Sequence, residues 1–568
     1  MIDTVRNGED RLFNFRPVFF MAAFLGLGVV FSCLRIFYGV SLWWLCLLLG
    51  LFIPFAFCGK SGIYKTAVAV CALLFAFFLG MNVFAFQVYN YAEATPYNGA
   101  HSVEGTVEEK SVGQWNTRLV LSDITVDGKA EKFTLIAYLP TSFVEETELF
   151  DEVVLQGTLT AFDLDFTAED FNAKQLREGI RYRLDGVESC EVIGHEFQLF
   201  GWIRARIEKV VYSGMDEDAA AVTMAVLTGN TRGIEDGLLA NMRYGGIAHI
   251  FAVSGLHVGA LFAFCLFLTS KTKLKKTPKP VRFFLVASVL IFYGGICGFS
   301  ASVLRAAVLC LVGYAAKLIG TSVDKFEALG AAAILILLIS PVDLFLPGFQ
   351  LSFLACLGIF LWCKPLEKWG NRVCDEAVKR ARAFQERRGI AKGNIGVEAA
   401  VEKAENLANA KDAPLISLSV KARQGIISFL SVSTAAQIAT APVLLQTFGY
   451  LSGWSLLLNC IFVPFISAIF SLLLVGVTAA CFLPLSASWI LLYVPNVIWS
   501  AALLVFEAFD FSAFMLKDVT LTAGAFISYY GALSFFSDKW NLTVKQRRAF
   551  GLLCAAGFIA VVLLVNLR

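Results

Sequence analysis

The chain has 568 residues, 57% of them hydrophobic, and its 47 basic residues nearly balance its 45 acidic residues. A net charge of +2 gives no general attraction to nucleic acids or to acidic partners. Apolar runs of about 20 residues, the length that crosses a bilayer, recur along the sequence, which excludes a soluble globular protein. The 14 cysteines include no C-x-x-C pair and lie mostly in apolar runs, as small hydrophobic side chains do.

The first 89 residues contain three apolar runs, at 17–34, 41–57 and 67–86. Basic residues precede the first run and follow the second: Arg6, Arg11, Arg16, Lys60 and Lys65. Because cytoplasmic loops carry an excess of lysine and arginine, this pattern predicts a cytoplasmic N-terminus. The third run then leads out of the cytoplasm.

Residues 90–198 are polar and show the period-two alternation of half-buried strands. The predicted strands are 101–109, 117–125, 132–139, 151–159 and 181–187. Five short strands in about 100 residues favour a small β-barrel such as an OB-fold. The fold class predicted is therefore a polytopic α-helical membrane protein with an extracytoplasmic OB-like β-barrel domain.

Residues 199–246 are predicted to form short helices. The first has its apolar residues on one face: Phe200, Ile203, Ile207 and Val210. That pattern fits a helix in the membrane interface and equally an amphipathic helix packed on protein. A polar glycine loop at 228–233, with Asn230 and Arg232, follows a short apolar helix.

The stretch from His249 to His257 places polar groups, among them Ser254, at the start of an apolar run that continues to about residue 268. Polar and titratable groups are costly inside a membrane, so they mark candidate functional positions. Ser254 and His257 share a helix face, which leaves an intramembrane serine hydrolase as one hypothesis. The two histidines lie about 80° apart on an ideal helix, with no further ligand nearby, so no metal site is predicted.

The remaining apolar runs alternate in direction between basic loops. The cluster at 271–282 and the segment at 364–424 are predicted to be cytoplasmic, with four runs between them. The segment at 364–424 has the composition of a helical or partly disordered insertion. Four more runs lead to a basic loop at 539–548, and a last run occupies 550–565.

Polar residues also interrupt the later runs: Ser300, Ser302, Arg305, Gln350, Ser352, Gln437 and Asn459. Serines such as Ser302 and Ser352 often only pack helices together. Arg305 is the hardest to accommodate, because a membrane arginine has to face water, a partner or an anion. Polar groups in so many helices favour a hydrated pathway, and Gly255 would let neighbouring backbone approach closely.

The segment 249–257, HIFAVSGLH, resembles the signature of the ComEC family of competence proteins. Residues 227–233, 300–306 and 340–354 are similar to other motifs of that family, in the same order. The resemblance implies a channel in the bacterial inner membrane that carries single-stranded DNA into the cytoplasm during natural transformation. It implies single-stranded DNA and membrane lipid as ligands, with a competence DNA receptor, a separate nuclease and a cytoplasmic DNA motor as partner proteins.

The resemblance divides the chain into N-terminal transmembrane helices (1–89), the OB-like domain (90–198), interfacial helices (199–246), a first half of the channel core (247–363), a basic cytoplasmic insertion (364–424) and a second half of the core (425–568). Many family members carry a C-terminal metallo-β-lactamase-like domain, whose histidine cluster this sequence lacks. The chain is thus expected not to be an enzyme and to need no cofactor. A transporter of another anionic polymer is the remaining alternative.

Overall fold

A computed structural model of the protein shows a helical bundle that carries a small β-barrel. It describes residues 16–39, 61–92, 97, 99–112, 116–140, 143, 147, 150–162, 173–195, 197–231, 233–247, 249, 253–271, 276–391, 413–517, 519, 521–536 and 544–566. The apolar run predicted at 41–57 lies outside these residues, as does Arg232.

The described helices are α1 (Pro17–Tyr38), α2 (Ser61–Ala92), α3 (Ala173–Glu178), α4 (Leu199–Gly214), α5 (Glu217–Thr228), α6 (Asp236–Tyr244), α7 (Gly255–Lys271), α8 (Lys279–Ile296), α9 (Ala301–Ile319), α10 (Lys325–Ile339), α11 (Pro347–Ala391), α12 (Ala413–Phe448), α13 (Ser455–Ala480), α14 (Ser488–Ala508), α15 (Ala523–Phe536) and α16 (Val544–Asn566). Within the described residues, eight helices are long and apolar enough to cross a membrane: α1, α2, α8, α9, α11, α12, α13 and α14. Helix α7 is apolar but shorter. The predicted fold class, a polytopic helical membrane protein with a small barrel, is confirmed.

The described strands are β1 (Gly99–Val112), β2 (Asn116–Val126), β3 (Lys129–Ala130), β4 (Thr134–Pro140), β5 (Asp151–Ala161), β6 (Ile180–His195), β7 (Tyr450–Ser452) and β8 (Met515–Lys517). The sheet runs in the order β1-β5-β6-β4-β2, and pairing of β1 with β2 closes it into a five-stranded barrel. All these pairs are antiparallel except β4 with β6. Alternate side chains from every strand fill the barrel core, such as Val103, Leu121, Leu135, Leu155 and Leu184, each 0% exposed.

Two contacts among the described residues join the barrel domain to the helices near the end of α2. The Tyr91 hydroxyl, at the end of α2, donates a hydrogen bond to the Ile180 carbonyl of β6 over 2.6 Å. Arg177 of α3 pairs with Asp343, in the short 3-10 helix between α10 and α11, over 2.9 Å. These contacts fix the position of the barrel over the end of α2.

Small residues allow α1 and α2 to pack backbone against backbone. A Cβ at Gly28 would lie 2.0 Å from the Phe77 carbonyl oxygen, and a Cβ at Gly80 would lie 2.1 Å from that of Leu25. Membrane helices associate through such small-residue contacts because lipid provides no hydrophobic drive between them.

Helix α4 packs on protein along one side and leaves apolar side chains exposed on the other. A Cβ at Gly295 would lie 2.3 Å from the Phe200 ring, so that ring sits directly on the α8 backbone. Leu199 and Trp202 are 50% and 57% exposed. The helix therefore packs on protein with one side, as an ordinary amphipathic helix does. It also presents apolar side chains outward, as an interfacial helix does.

Two arginines of α4 also bear on the topology. They show that successive apolar runs do not all cross the membrane in alternating directions, as the sequence predicted. Arg204 donates a hydrogen bond to the Gly295 carbonyl at the end of α8, and Arg206 donates to the Cys481 carbonyl just after α13. Side chains two residues apart cannot reach acceptors on opposite faces of an apolar layer about 30 Å thick. The ends of α8 and α13 therefore lie on one side, whereas strict alternation places them on opposite sides.

The predicted insertion at 364–424 continues the flanking helices. Helix α11 runs without a break from the bundle to Ala391, and α12 begins at Ala413. Arg423 of α12 pairs with Asp375 of α11 over 3.0 Å. The described part of this segment is thus an antiparallel extension of two membrane helices.

Candidate functional site

Helix α7 begins at a capping box made from Ser254 and His257. The Ser254 Oγ accepts a hydrogen bond from the Leu256 backbone N–H, and the His257 Nδ1 accepts one from the Ser254 backbone N–H over 3.1 Å. A capping box satisfies two backbone donors that a helix start leaves unpaired. Histidine here takes the place that glutamate usually holds. The Ser-Gly-Leu-His sequence thus has a structural use, a capped helix start whose histidine is buried.

The same hydrogen bonds leave His257 poorly placed to act as a base. Its Nδ1 lone pair is occupied by the Ser254 N–H, and the Ser254 Oγ lies 3.5 Å from it. The ring is 0% exposed and packs on Phe470, with ring centroids 4.7 Å apart. Its Nε2 is buried and has no hydrogen-bond partner among the described residues. A serine nucleophile needs a free base aimed at it, so the geometry disfavours a hydrolase.

Arg305 lies in the first turns of α9, where three helices meet, and is 7% exposed. Its guanidinium donates a hydrogen bond to the Ser352 carbonyl of α11. It also approaches the start of α7, since a Cβ at Gly255 would lie 3.0 Å from Nη2. The Phe353 ring is 6.0 Å away. Among the described residues no carboxylate pairs with Arg305, and its Nε has no partner. A side chain at position 255 would therefore crowd the buried guanidinium.

Serines precede this arginine on α9 and lie across from it on α11. The hydroxyls of Ser302 and Ser352 lie 2.9 Å apart, which joins α9 to α11. Ser300 precedes α9, and its carbonyl accepts the Leu304 backbone N–H over 3.0 Å. Together with Arg305 and Gly255, these residues form what we call the arginine cluster, which comprises Gly255, Ser300, Ser302, Arg305 and Ser352.

Gln350 lies on α11 near the arginine cluster but bonds elsewhere. Its Nε2 donates to the Leu344 carbonyl over 2.9 Å. That bond holds the short helix Pro341–Phe345 against the start of α11. Gln350 thus stabilises the local backbone in the structure.

A second group of polar residues lies where the loop after α6 meets α12 and α13. Gly246 has a φ of +73°, and a Cβ there would lie 2.4 Å from the Ser455 Cβ. The Gln437 side chain donates to the Ser455 hydroxyl. We call Gly246, His249, Gln437, Ser452 and Ser455 the glycine-turn cluster.

The His249 ring hydrogen-bonds to the Gly246 backbone, which ties this histidine to the turn.

Two other predicted residues lie apart from these clusters. The Asn230 backbone N–H bonds to the Thr228 hydroxyl over 3.3 Å, just after α5 ends at a left-handed Gly229. The Oδ1 of Asn459, on α13, is buried without a partner in the described structure. A buried unsatisfied amide oxygen costs about 1–3 kcal/mol, so Asn459 is a position where a ligand or water would add a hydrogen bond.

The two clusters are close along the chain, since Gly246 contacts Ser455 and Gly255 contacts Arg305. Gly246 and Gly255 are nine positions apart, and a fully extended chain of that length spans at most about 30 Å. The two clusters therefore lie within about one bilayer thickness of each other. Gly246, Ser452 and Ser455 did not stand out in the sequence. The Gly245-Gly246 pair was a detectable signal, because adjacent glycines mark turns and close backbone approaches. Within the described chain, no group of three or more histidine, cysteine or acidic residues is placed to hold a metal ion.

A model of a family described as competence protein matches residues 226–540 of this chain. The match covers more than half of the chain. The chain belongs to the ComEC family of competence proteins. All the predicted site residues lie inside the matched region, and the barrel lies before it.

Comparison with individual proteins adds one curated relative. ComE operon protein 3 of Bacillus subtilis (strain 168) is 28% identical over 197 residues, which are 34% of this chain and 25% of that protein. The match thus spans a quarter of the relative's length. No solved structure matches the chain.

Proposed function

We propose that this ComEC-family chain is an inner-membrane channel that passes single-stranded DNA into the cytoplasm during natural transformation. Family membership and the similarity to ComE operon protein 3 support a role in DNA uptake. The distribution of polar groups supports the finer assignment to a channel. In this proposal a receptor, a nuclease and a DNA motor are separate proteins, and the chain itself performs no catalysis.

The observation that carries the proposal is Arg305, a buried cation with no carboxylate partner among the described residues, at the junction of α7, α9 and α11. An arginine among membrane helices is costly unless it faces water, a partner or an anion. The hydroxyls of Ser302 and Ser352, which lie 2.9 Å apart, add polar groups at the same junction.

Arg305 supplies the electrostatics that a polyanion requires. A cation with no paired carboxylate raises the local potential, and the effect is strong where the surroundings exclude water. The start of α7 adds the partial positive charge of a helix N-terminus. Both lie at Gly255, so phosphate groups passing this point would be stabilised. Sequence-independent binding of a single strand needs this combination of cationic groups with nearby aromatic rings.

The second candidate, transport of another anionic polymer, rests on the same electrostatics. Arg305 attracts any polyanion, whereas base stacking distinguishes DNA. Phe353, which stacks on Phe349 with ring centroids 4.1 Å apart, is the aromatic group nearest to Arg305 among the described residues. A substrate comparison therefore separates the two candidates.

The test is transport by purified full-length protein in proteoliposomes. Liposomes would receive a fluorescently labelled single-stranded oligonucleotide, duplex DNA or anionic polysaccharide outside, and the label retained inside after removal of the external polymer would be measured. We expect influx of the single strand alone, and its loss in Arg305→Gln. Arg380→Gln is the matched control, since Arg380 is 85% exposed on α11. Equal influx of all three polymers, or none with correctly inserted protein, would overturn the proposal.

A further inference from the structure

A cavity of about 300 Å³ lies between the end of α2 and the barrel. Its walls come from the last turn of α2, the start of β4, and the α3–β6 turn. The volume is at the lower end of the range for small-molecule sites. None of the ComEC motifs or the predicted site residues contributes to it.

The cavity is cationic. Lys132, Arg177 and Arg181 line it, and Glu178 is the acidic residue of its lining. Glu178 already faces Lys174 over 3.7 Å. The charge inside the cavity is therefore positive even though Arg177 bonds to a carboxylate outside it.

Arg181 brings a positive charge to the cavity wall beside Tyr91. Its guanidinium lies 5.1 Å from the centre of the Tyr91 ring and hydrogen-bonds to the Tyr91 side chain. Within the described structure no carboxylate pairs with this guanidinium, and its buried Nε has no hydrogen-bond partner. An anion in the cavity would therefore stabilise the charge of Arg181. Arginine is well suited to bind such an anion because its planar fork matches phosphate oxygens.

The cavity lies at the level of the membrane surface. The apolar window of α2 extends over Val68–Tyr91, so Tyr91 marks its end. Phe86 and Tyr89, on the same turns, are 65% and 59% exposed. Aromatic side chains at the end of a membrane helix sit at the headgroup level. The cations that line the cavity are therefore within reach of lipid headgroups.

We propose that this cavity binds the headgroup phosphate of an anionic phospholipid, held by Lys132 and Arg181 with Tyr91 beside it. The bound lipid joins the barrel to the bilayer at the point where α2 leaves it. This site is independent of the proposed channel, because it involves neither Arg305 nor the segment 246–255.

Native mass spectrometry of the detergent-purified full-length protein tests the site with phosphatidylglycerol and phosphatidylcholine as probes. We expect phosphatidylglycerol to bind more tightly. Basic residues near a membrane surface contribute about 1 kcal/mol each, so the Lys132→Gln/Arg181→Gln variant should lose about 30-fold in affinity for the first bound lipid. Arg183→Gln is the matched control, since Arg183 lies two residues along β6 and pairs with Asp185.

Three results would overturn the proposal. One is equal binding of the two lipids by the wild type. Another is wild-type affinity in the double variant. The third is displacement of phosphatidylglycerol from the wild type, but not from the double variant, by a 12-nucleotide oligothymidylate, which would assign the cavity to nucleic-acid phosphate. If the double variant does not fold, the single variant Lys132→Gln provides the test, because Lys132 is exposed and its replacement should not disturb the fold. This variant should lose about fivefold in affinity for phosphatidylglycerol, and wild-type affinity would overturn the proposal.

Discussion

Replacement of Arg305 by methionine should separate the stability of the bundle from transport. Arg305 is 7% exposed, and within the described part of the chain its guanidinium makes one hydrogen bond, to the Ser352 carbonyl, while its Nε has no partner. A buried cation with so few partners contributes little to stability. If its use is electrostatic, removing the charge should abolish passage of DNA while the fold persists.

The expected change in the free energy of unfolding follows from opposing contributions. The lost hydrogen bond from a charged donor to Ser352 costs about 1.5–3 kcal/mol. Removing a desolvated guanidinium that has no carboxylate partner recovers a similar amount or more. Methionine is unbranched and flexible, so it fills most of the vacated space. We therefore expect Arg305→Met to lie within about 1 kcal/mol of the wild type, and Arg305→Ala to lose about 2–4 kcal/mol through the cavity.

Stability is measured by thermal unfolding of the detergent-solubilised protein, and transport by single-strand influx into proteoliposomes. Arg16→Met is the contrasting control, since Arg16 is buried and bonds Asp324 over 2.7 Å. Its removal strands a partly buried carboxylate, so it should destabilise the fold by about 1–3 kcal/mol without stopping influx. Normal influx in Arg305→Met, or strong destabilisation with influx lost only through unfolding, would refute the electrostatic role.

Three further outcomes follow from the same structure. A serine-reactive fluorophosphonate should leave the protein unlabelled, because the neighbouring imidazole lone pair is occupied; labelling that disappears in Ser254→Ala would contradict this. Gly246→Ala should lower the thermal midpoint, since its Cβ would meet Ser455 at 2.4 Å and its φ of +73° strains other residues; an unchanged midpoint would argue against this packing. Hydrogen bonding to His101 and to a backbone N–H holds the pKa of Asp127 below its ordinary 3.8. The resulting barrel stability is present above about pH 4 and is lost as pH falls through the lowered pKa. The protection factors of the β1 amides, which are corrected for intrinsic exchange at each pH, should therefore fall in acid, and Asp127→Asn should remove this dependence.

The barrel was the most predictable part of the fold. Each of the five predicted segments overlaps a strand, because period-two alternation is set by the pleat and needs no knowledge of the partner strand. The two-residue β3 and the extension of β6 to His195 were not predicted. They depend on strand pairing, which the pattern of a single segment does not contain.

The membrane helices were predicted as runs, but their relations were not. Composition identifies which segments are apolar enough for a bilayer. It does not show that α4 bonds to the ends of both α8 and α13 through Arg204 and Arg206. A rule that counts charges in loops treats each run as an independent crossing, whereas packed helices can end at the same level.

Some residues of the candidate site could be predicted from the sequence, and others became apparent only in the structure. Arg305 was prominent in the sequence because its desolvation cost is independent of context. Gly246 and Ser455 carry no such cost and became relevant only through their contact. The reverse is true of Ser254 and His257, whose spacing suggested chemistry until the capping hydrogen bonds became visible.

Taken by itself, the sequence determined that the chain is a multi-pass membrane protein with a small barrel and the ComEC-type motifs. Hydrophobic run length and side-chain periodicity are local properties, so they can be read without a structure. The tertiary structure alone decided that Gly255 makes room for Arg305, that His257 caps a helix, and that three cations line one cavity beside Tyr91. These are contacts between segments distant in the chain, and their energies depend on packing and desolvation that no single segment specifies.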